Sequence, residues 1–364
     1  VHIEDVKEMI YCVSVEKRIA LMIWGRPGIG KSEAVKQVCV ECAQDTKRFP
    51  GGFGCVDLRL PQLDPTDLRG IPVPDKEEGI CKWYPPSFLP RDGHGPDHGI
   101  LFLDEIEKAP TSVKNASLQL VLDRRVGDYV LPSGWSIVAA GNREEDGAFS
   151  QPLGSALQNR MAHIDAEVDT DVWLAWAHEN RLMEDIIGYI AWRKDHLYPE
   201  AKDAEGGGRA TIVAEKAFPS PRSWHMASIG IESAASERQQ YKIISACVGR
   251  EMCGEFRNWH KIFRRVDPRR IIEDGKIPRE MEKKEQSYKY AVTMACAFYT
   301  RKNSIVKSEH ARKNLQKFLS AVGKELSIVF WRNIETKDAI RLSRCSEFGA
   351  FVKDIIQIAK PKRD

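Results

Sequence analysis

The chain has 364 residues, 42% of them hydrophobic, and its 55 basic and 52 acidic side chains leave a formal charge of +3. This length suits two or three domains with sizeable cores, and so even a balance gives no global pull toward nucleic acid, membrane or an acidic substrate. Nine cysteines, at 12, 39, 42, 55, 81, 247, 253, 296 and 345, make no two matched CxxC pairs, which argues against a disulfide framework or a zinc ribbon and fits a reducing cytoplasm. There is no basic-then-apolar leader and no apolar run near 18 residues, since WLAWA and IIGYIAWR are short and bounded by charge, so a cytoplasmic protein without membrane insertion is expected. The first residue is Val1 rather than methionine, which leaves a short preceding address open.

In chain order, apolar runs of strand length alternate with helical patterns as far as about residue 168, the signature of a parallel sheet covered by helices. The run Ile19 to Trp24 leads into Gly25-Arg26-Pro27-Gly28-Ile29-Gly30-Lys31-Ser32, which fits GxxxxGK[ST], and the helical SEAVKQVCVECA follows. Glycines let successive backbone N–H groups and the helix N-terminus face phosphate oxygens; Lys31 is suited to the β and γ phosphates and Ser32 to Mg²⁺. Gly25, Arg26, Pro27, Gly28, Ile29, Gly30, Lys31, Ser32 and Glu33 are therefore the expected ATP contacts. Cys39 and Cys42 fall in the helix after this loop and read as a buried face.

Gly99-Ile100-Leu101-Phe102-Leu103-Asp104-Glu105 reads as a buried strand delivering two carboxylates at its C-terminal end, where parallel sheets bind ligands. Asp104 is expected to hold Mg²⁺ with Ser32, and Glu105 to orient or deprotonate the attacking water. A third strand, Ser136 to Ala140, runs into Gly141-Asn142 and brings an amide that can both donate and accept to the same sheet edge. Beyond Val168 the segments 171–180, 183–197, 221–234, 238–263, 282–300 and 309–330 carry apolar residues at helical spacing. Glu205-Gly206-Gly207-Gly208-Arg209 reads as a surface loop, because no GK[ST] follows its glycines.

These elements, in this order, resemble the AAA+ ATPases, and the resemblance spans roughly residues 15 to 235. Leu63-Asp64-Pro65-Thr66-Asp67-Leu68-Arg69-Gly70, Lys82-Trp83-Tyr84-Pro85-Pro86, and Leu118 to Val126 leading to Pro132-Ser133-Gly134 narrow it to the MoxR-like branch of the dynein and midasin group. The resemblance implies an αβα P-loop core over 1–168, with a helix-2 insert at about 63–90 and a hairpin before the sensor strand at about 124–136. A helical lid over 169–270 and a helical extension over 271–364 would follow. Physically, Ile71-Pro-Val-Pro and Ile80-Cys-Lys-Trp83 around a charged turn suit a projecting hairpin, which in the family lines a ring's pore.

The same resemblance makes Asn142 the sensor and Arg160, in Pro152 to Met161, the finger that acts in trans on a neighbouring subunit's site, with Arg124, Arg125 and Arg143 as rivals. Arg222, in Phe218-Pro219-Ser220-Pro221-Arg222-Ser223-Trp224, becomes the second sensor. It further implies a homo-oligomeric ring, a hexamer, that hydrolyses ATP with Mg²⁺ and remodels a client or adaptor carrying a von Willebrand factor A domain. Two other readings stay open: a McrB-like motor on nucleic acid and a slow nucleotide-gated assembly switch. Phe256 to Arg265 interleaves aromatic and basic residues as nucleic-acid surfaces do, yet the aromatics recur at near-helical spacing, which favours packing inward.

Overall fold

The computed structural model describes residues 1–143, 153–199, 203–204, 208–209, 216–278, 281, 285–303 and 305–349. Two compact units account for the chain: Val1–Trp173 with Ala201–Ala214 and Ser220–Arg222, and Leu174–Glu200 with Glu215–Pro219 and everything from Ser223 onward.

In the first unit α1 (Ile3–Met9) runs into a π-helical turn, Ile10–Val15, and then β1 (Leu21–Trp24) and α2 (Lys31–Gln44). Next come β2 (Phe53–Arg59), α3 (Pro65–Arg69), β3 (Ile71–Asp75), β4 (Ile80–Tyr84), β5 (His98–Asp104) and α4 (Thr111–Asp123). The unit closes with β6 (Arg125–Val126), β7 (Tyr129–Val130), β8 (Trp135–Gly141), α5 (Ser155–Gln158) and β9 (Ala162–Asp165). Five strands pair in parallel in the order β2-β5-β8-β1-β9. The three inner strands are buried nearly throughout because helices cover both faces, which is why they read as unbroken apolar runs. Met22, Leu101, Leu103, Ile137 and Ala139 pack with Val113, Ala116 and Leu120 of α4. The alternate residues, Leu21, Ile23, Ile100, Phe102 and Val138, face the opposite way by the two-residue period of a strand, toward α2 and its buried Val35, Val38, Cys39 and Cys42. On that face Ser136 Oγ donates to the carbonyl of Ser14 over 2.7 Å. Cys12, Cys55 and Cys81 are the exposed thiols of this unit.

Two antiparallel hairpins leave the sheet. β3 pairs with β4 around the charged turn, exposing Ile71, Val73, Ile80 and Tyr84, and β6 pairs with β7. They are tied to neighbouring chain: the Trp83 N–H donates to Asp128 Oδ2 (3.1 Å) in the second turn, and Tyr129 donates its hydroxyl to the carbonyl of Pro90 (2.8 Å). Asp64 caps α3 in a capping box with Asp67, and Pro65 takes the first turn where no N–H is needed.

α6 (Thr170–Glu179) carries the chain across the boundary between units, α7 (Glu184–Trp192) follows, and a short ladder joins β10 (Asp203–Ala204) to β11 (Gly208–Arg209). Gly208 and Arg209, read as loop from sequence, are thus paired, and residues 205–207 lie outside the described residues. α8 (Pro221–Glu232), α9 (Glu237–Val248), α10 (Arg250–Phe263), α11 (Pro268–Ile272), α12 (Gln286–Lys302), α13 (Glu309–Val322), α14 (Lys324–Arg332) and α15 (Thr336–Ser343) complete the chain.

In the second unit an aromatic cluster joins Tyr189 to Trp224, Phe256 and Trp259, with centroids 5.6, 5.3 and 5.8 Å away. A second apolar core gathers Ile271, Ile272, Val292, Cys296, Leu315, Phe318, Phe330 and Phe348. Two of the predicted helical segments are each split. Gly249, at φ 90 and ψ 163, separates α9 from α10, and Gly323, at φ 87 and ψ 173, separates α13 from α14. Periodicity ran on through both points because the apolar faces resume at once on the far side. Phe256 and Trp259 are each 1% exposed, so these aromatics pack inward and offer no platform for bases. Among the described residues no helix is long and apolar enough to cross a membrane.

Candidate nucleotide-binding site

The glycine-rich loop leaves the C-terminal end of β1, flanked by β8 and β9, and opens directly into α2. Gly30 is the residue before the helix and sits at φ +108; a Cβ there would meet nothing nearer than Ile3 Cδ1 at 4.0 Å. Gly28, at φ +79, has no such freedom, since a Cβ would lie 2.9 Å from Ser220 Oγ. The first residues of α8 stay with this loop, and the Arg222 N–H donates to the carbonyl of Gly28 over 3.1 Å. Arg222 itself is exposed.

Four predicted residues converge where β1, β5 and β8 end. Ser32 Oγ donates to Asp104 Oδ2 over 2.8 Å. Lys31 is buried, and its ammonium donates to the carbonyls of Gly25 (2.5 Å) and Arg26 (3.0 Å) and to Asn142 Oδ1 (2.9 Å). A cation so surrounded by oxygens is held in place by acceptors that anionic oxygens replace readily. Gly25 and Ile29 are buried, Arg26 is exposed, Pro27 is half-buried, and Glu33 turns outward to accept from Gln37 Nε2 at 3.3 Å. Glu33 therefore stands in the first turn of α2 as a backbone N–H rather than as a side chain aimed into the loop.

Glu105 adopts a left-handed backbone, φ +56 and ψ 36, uncommon for a side-chain-bearing residue and a form of strain that gathers at functional sites. Its N–H donates to Asp104 Oδ1 (3.0 Å), and its carboxylate rests on Lys108 Nζ (3.0 Å). Sequence reasoning missed Lys108, and missed Glu107 altogether. Glu107 is 1% exposed; Asn142 Nδ2 donates to its Oε1 over 3.0 Å, and its Oε2 is buried without a hydrogen-bond partner among the described residues. Lys114, also buried, donates to the Glu107 backbone carbonyl over 2.8 Å; burial pulls its ammonium below the usual lysine range against the opposing pull of Glu107. No spacing rule marks Glu107, which in the sequence is only a third acid two residues beyond Asp104-Glu105.

The arginines separate by what they touch. Arg124 spans its own turn, donating to the carbonyls of Pro132 (2.9 Å) and Trp135 (2.5 Å), and Arg143 pairs with Asp165 at 3.1 Å at the end of β9. Arg125 is exposed and donates to the Gly127 carbonyl at 3.2 Å. Arg160 is exposed between α5 and β9, while Pro152 of its motif lies outside the described residues. At the start of β9, Trp24 Nε1 donates to His163 Nδ1 (2.9 Å), which leaves the His163 Nε2 hydrogen for the Gln158 carbonyl (2.7 Å).

No protein-family model matches the chain, and no curated protein matches it. Among solved structures, a mutant RuvB of Thermotoga maritima is 16% identical, with 77% of this chain and 79% of that chain covered and a TM-score of 0.37. NtrX of Brucella abortus is 11% identical over 98% of this chain and 68% of that one, TM-score 0.33, and its complex with ADP is 13% identical over the same shares, TM-score 0.32. These likenesses are slight, and the fold follows from the chain's own strand order and loop geometry. It is an α/β P-loop fold with a five-stranded parallel sheet, followed by a helical second unit.

Proposed function

We infer that the chain is a Mg²⁺-dependent ATPase of the AAA+ class, MoxR-like in branch, that works as a ring and remodels a protein client. One observation carries the hydrolytic part: the consecutive residues Lys31 and Ser32 reach Asn142 and Asp104, in two hydrogen-bonded pairs, at the ligand-binding edge of the sheet. Backbone N–H groups of the loop and of the first turn of α2 bind phosphate oxygens, and Lys31 exchanges its carbonyl partners for them. The Ser32 hydroxyl and the Asp104 carboxylate fit Mg²⁺, a hard cation that takes oxygen and uses few protein ligands; they already share a hydrogen bond and would hold it. When bound, the ion neutralises charge on the β and γ phosphates. Glu105 orients the attacking water and takes its proton at the carboxylate, which requires it to leave Lys108. Asn142 holds the water or the γ-phosphate through its amide, and Arg222, at the start of α8, faces the γ-phosphate of the same chain.

Arg160 is the trans finger in this reading. Its exposure supports that role, and the commitment of Arg124 and Arg143 to carbonyls and a carboxylate of their own unit weighs against those two rivals. The test is ATPase rate against protein concentration for wild type, Arg160→Ala, Glu105→Gln and an equal mixture of the two variants. Each variant alone is expected to be at least about 100-fold slower, the wild-type rate per chain to rise with concentration, and the mixture to recover activity. A concentration-independent rate with an active Arg160→Ala would overturn the shared site. The client is proposed to carry, or be reached through, a von Willebrand factor A domain; co-purification that alters turnover supports this, and none at all counts against it. The strained backbone of Glu105 and its contact with Lys108 also suit a slow assembly switch, which predicts tight ATP binding and a rate that Glu105→Gln hardly changes.

A further inference from the structure

Glu107 is a carboxylate 1% exposed that, among the described residues, accepts one hydrogen bond, from Asn142 to Oε1, and whose Oε2 has no hydrogen-bond partner. Carboxylates are almost never buried this fully unless paired, and an apolar side chain of similar size would fill the space without stranding an oxygen. The fold makes room for it all the same. Gly141, the last residue of β8, carries no side chain beside it, and a Cβ there would lie 2.6 Å from Glu107 Oε2 and 2.8 Å from Met22 Cε. The glycine before Asn142 is thus explained by space, not by backbone conformation.

An asparagine amide has two nearly isosteric ends, one donor and one acceptor, and a flip exchanges them. Here the Oδ1 end receives Lys31 and the Nδ2 end is taken up by Glu107, so Lys31, Asn142 and Glu107 form a directional relay. We propose that Glu107 is a positioning residue that holds the Asn142 amide with its NH2 group turned inward, fixing which amide atoms meet the nucleotide. The second N–H of Nδ2 is then available at the site while the first is anchored, and the amide keeps one orientation when Lys31 moves from Oδ1 to phosphate. Glu107 acts only through Asn142 and touches no reacting atom. This role rests on the ATPase reading above.

The test compares wild type with Glu107→Leu, Glu107→Gln, Asn142→Ala and the double variant Glu107→Leu/Asn142→Ala, in kcat, KM for ATP, and thermal midpoint. Glu107→Leu removes the stranded oxygen and is expected to be at least as stable as wild type, yet to lose about 10-fold or more in kcat with KM within about 2-fold. Glu107→Gln still offers an acceptor oxygen and is expected to return to within about 3-fold of wild type. The double variant should be no slower than Asn142→Ala alone, because both changes act through one amide. If Glu107→Leu does not fold, Glu107→Met takes its place in the cycle. An impaired Asn142→Ala beside an unimpaired Glu107→Leu overturns the positioning role alone, as do fully additive losses or a Glu107→Gln as slow as Glu107→Leu. An Asn142→Ala that hydrolyses ATP at the wild-type rate overturns the reading of the site, and this role with it.

Discussion

Gly28 shows how much a single missing side chain does at this site. Its φ of +79 is costly for any L-residue, and its Cα lies close enough to Ser220 that a Cβ would come within 2.9 Å of the serine hydroxyl. Gly28→Ala is expected to cost about 1–2 kcal/mol from backbone strain, and to weaken nucleotide affinity besides, because loop and 220–222 segment cannot both keep their places. Denaturant midpoints and titration with a fluorescent nucleotide measure the two effects separately. At this scale the sequence was most informative where backbone chemistry dictates residue type: Lys31 and Ser32 of GRPGIGKS do reach Asn142 and Asp104. It was silent on Glu107, whose partner lies 35 positions away and whose space comes from Gly141. It also could not rank the arginines, because the carbonyls and the carboxylate that Arg124 and Arg143 contact are brought near only by folding.

The strands were legible because the middle of a parallel sheet must be apolar on both sides, so β1, β5 and β8 each appear as an uninterrupted run. The helices of the second unit were legible as periodic segments, but not their breaks. Gly249 and Gly323 both adopt a positive φ with ψ near 170, a region essentially reserved for glycine. Each ends one helix and serves as the first cap of the next, so the chain turns without losing a residue. Gly249→Ala is expected to destabilise the protein by about 1–3 kcal/mol, read as a lower urea midpoint. An unchanged midpoint would mean that α9 and α10 can fuse into one helix, contrary to the turn between them.

At the scale of the whole molecule, the two units answer to different chemistry. The second holds two histidines whose imidazoles are pushed below their ordinary value. Burial does this to His178, wedged between Asn333 Oδ1 (3.0 Å) and Arg301 (2.7 Å), the arginine adding to the effect and the amide opposing it. Burial also does it to His196, whose Nδ1 meets Tyr189 Oη at 2.6 Å, with Arg193 adding and Asp195 opposing. Both protonate more readily unfolded than folded, so their contribution is complete above the unfolded value of about 6.5 and is lost as pH falls through the lower, folded one. The helical unit is therefore expected to lose stability on acidification below about pH 6.5, with His196→Phe reducing the slope; unfolding followed at several pH values checks it. A flat profile would mean that these imidazoles take up protons as readily in the fold as in the unfolded chain.

The cysteines divide along the same line. All three exposed thiols, Cys12, Cys55 and Cys81, lie in the first unit, while the second holds only buried or half-buried ones, and burial raises the Cys247 and Cys253 thiols further. The neighbouring Cys39 thiol holds the Cys55 thiol below its usual range, with Lys36 adding to the pull and burial and Asp57 opposing it. A maleimide dye added briefly to the native chain is thus expected to mark the first unit, at Cys12, Cys55 and Cys81, ahead of the half-buried Cys247 and Cys345 of the second, an order that peptide mapping of the labelled chain reads directly.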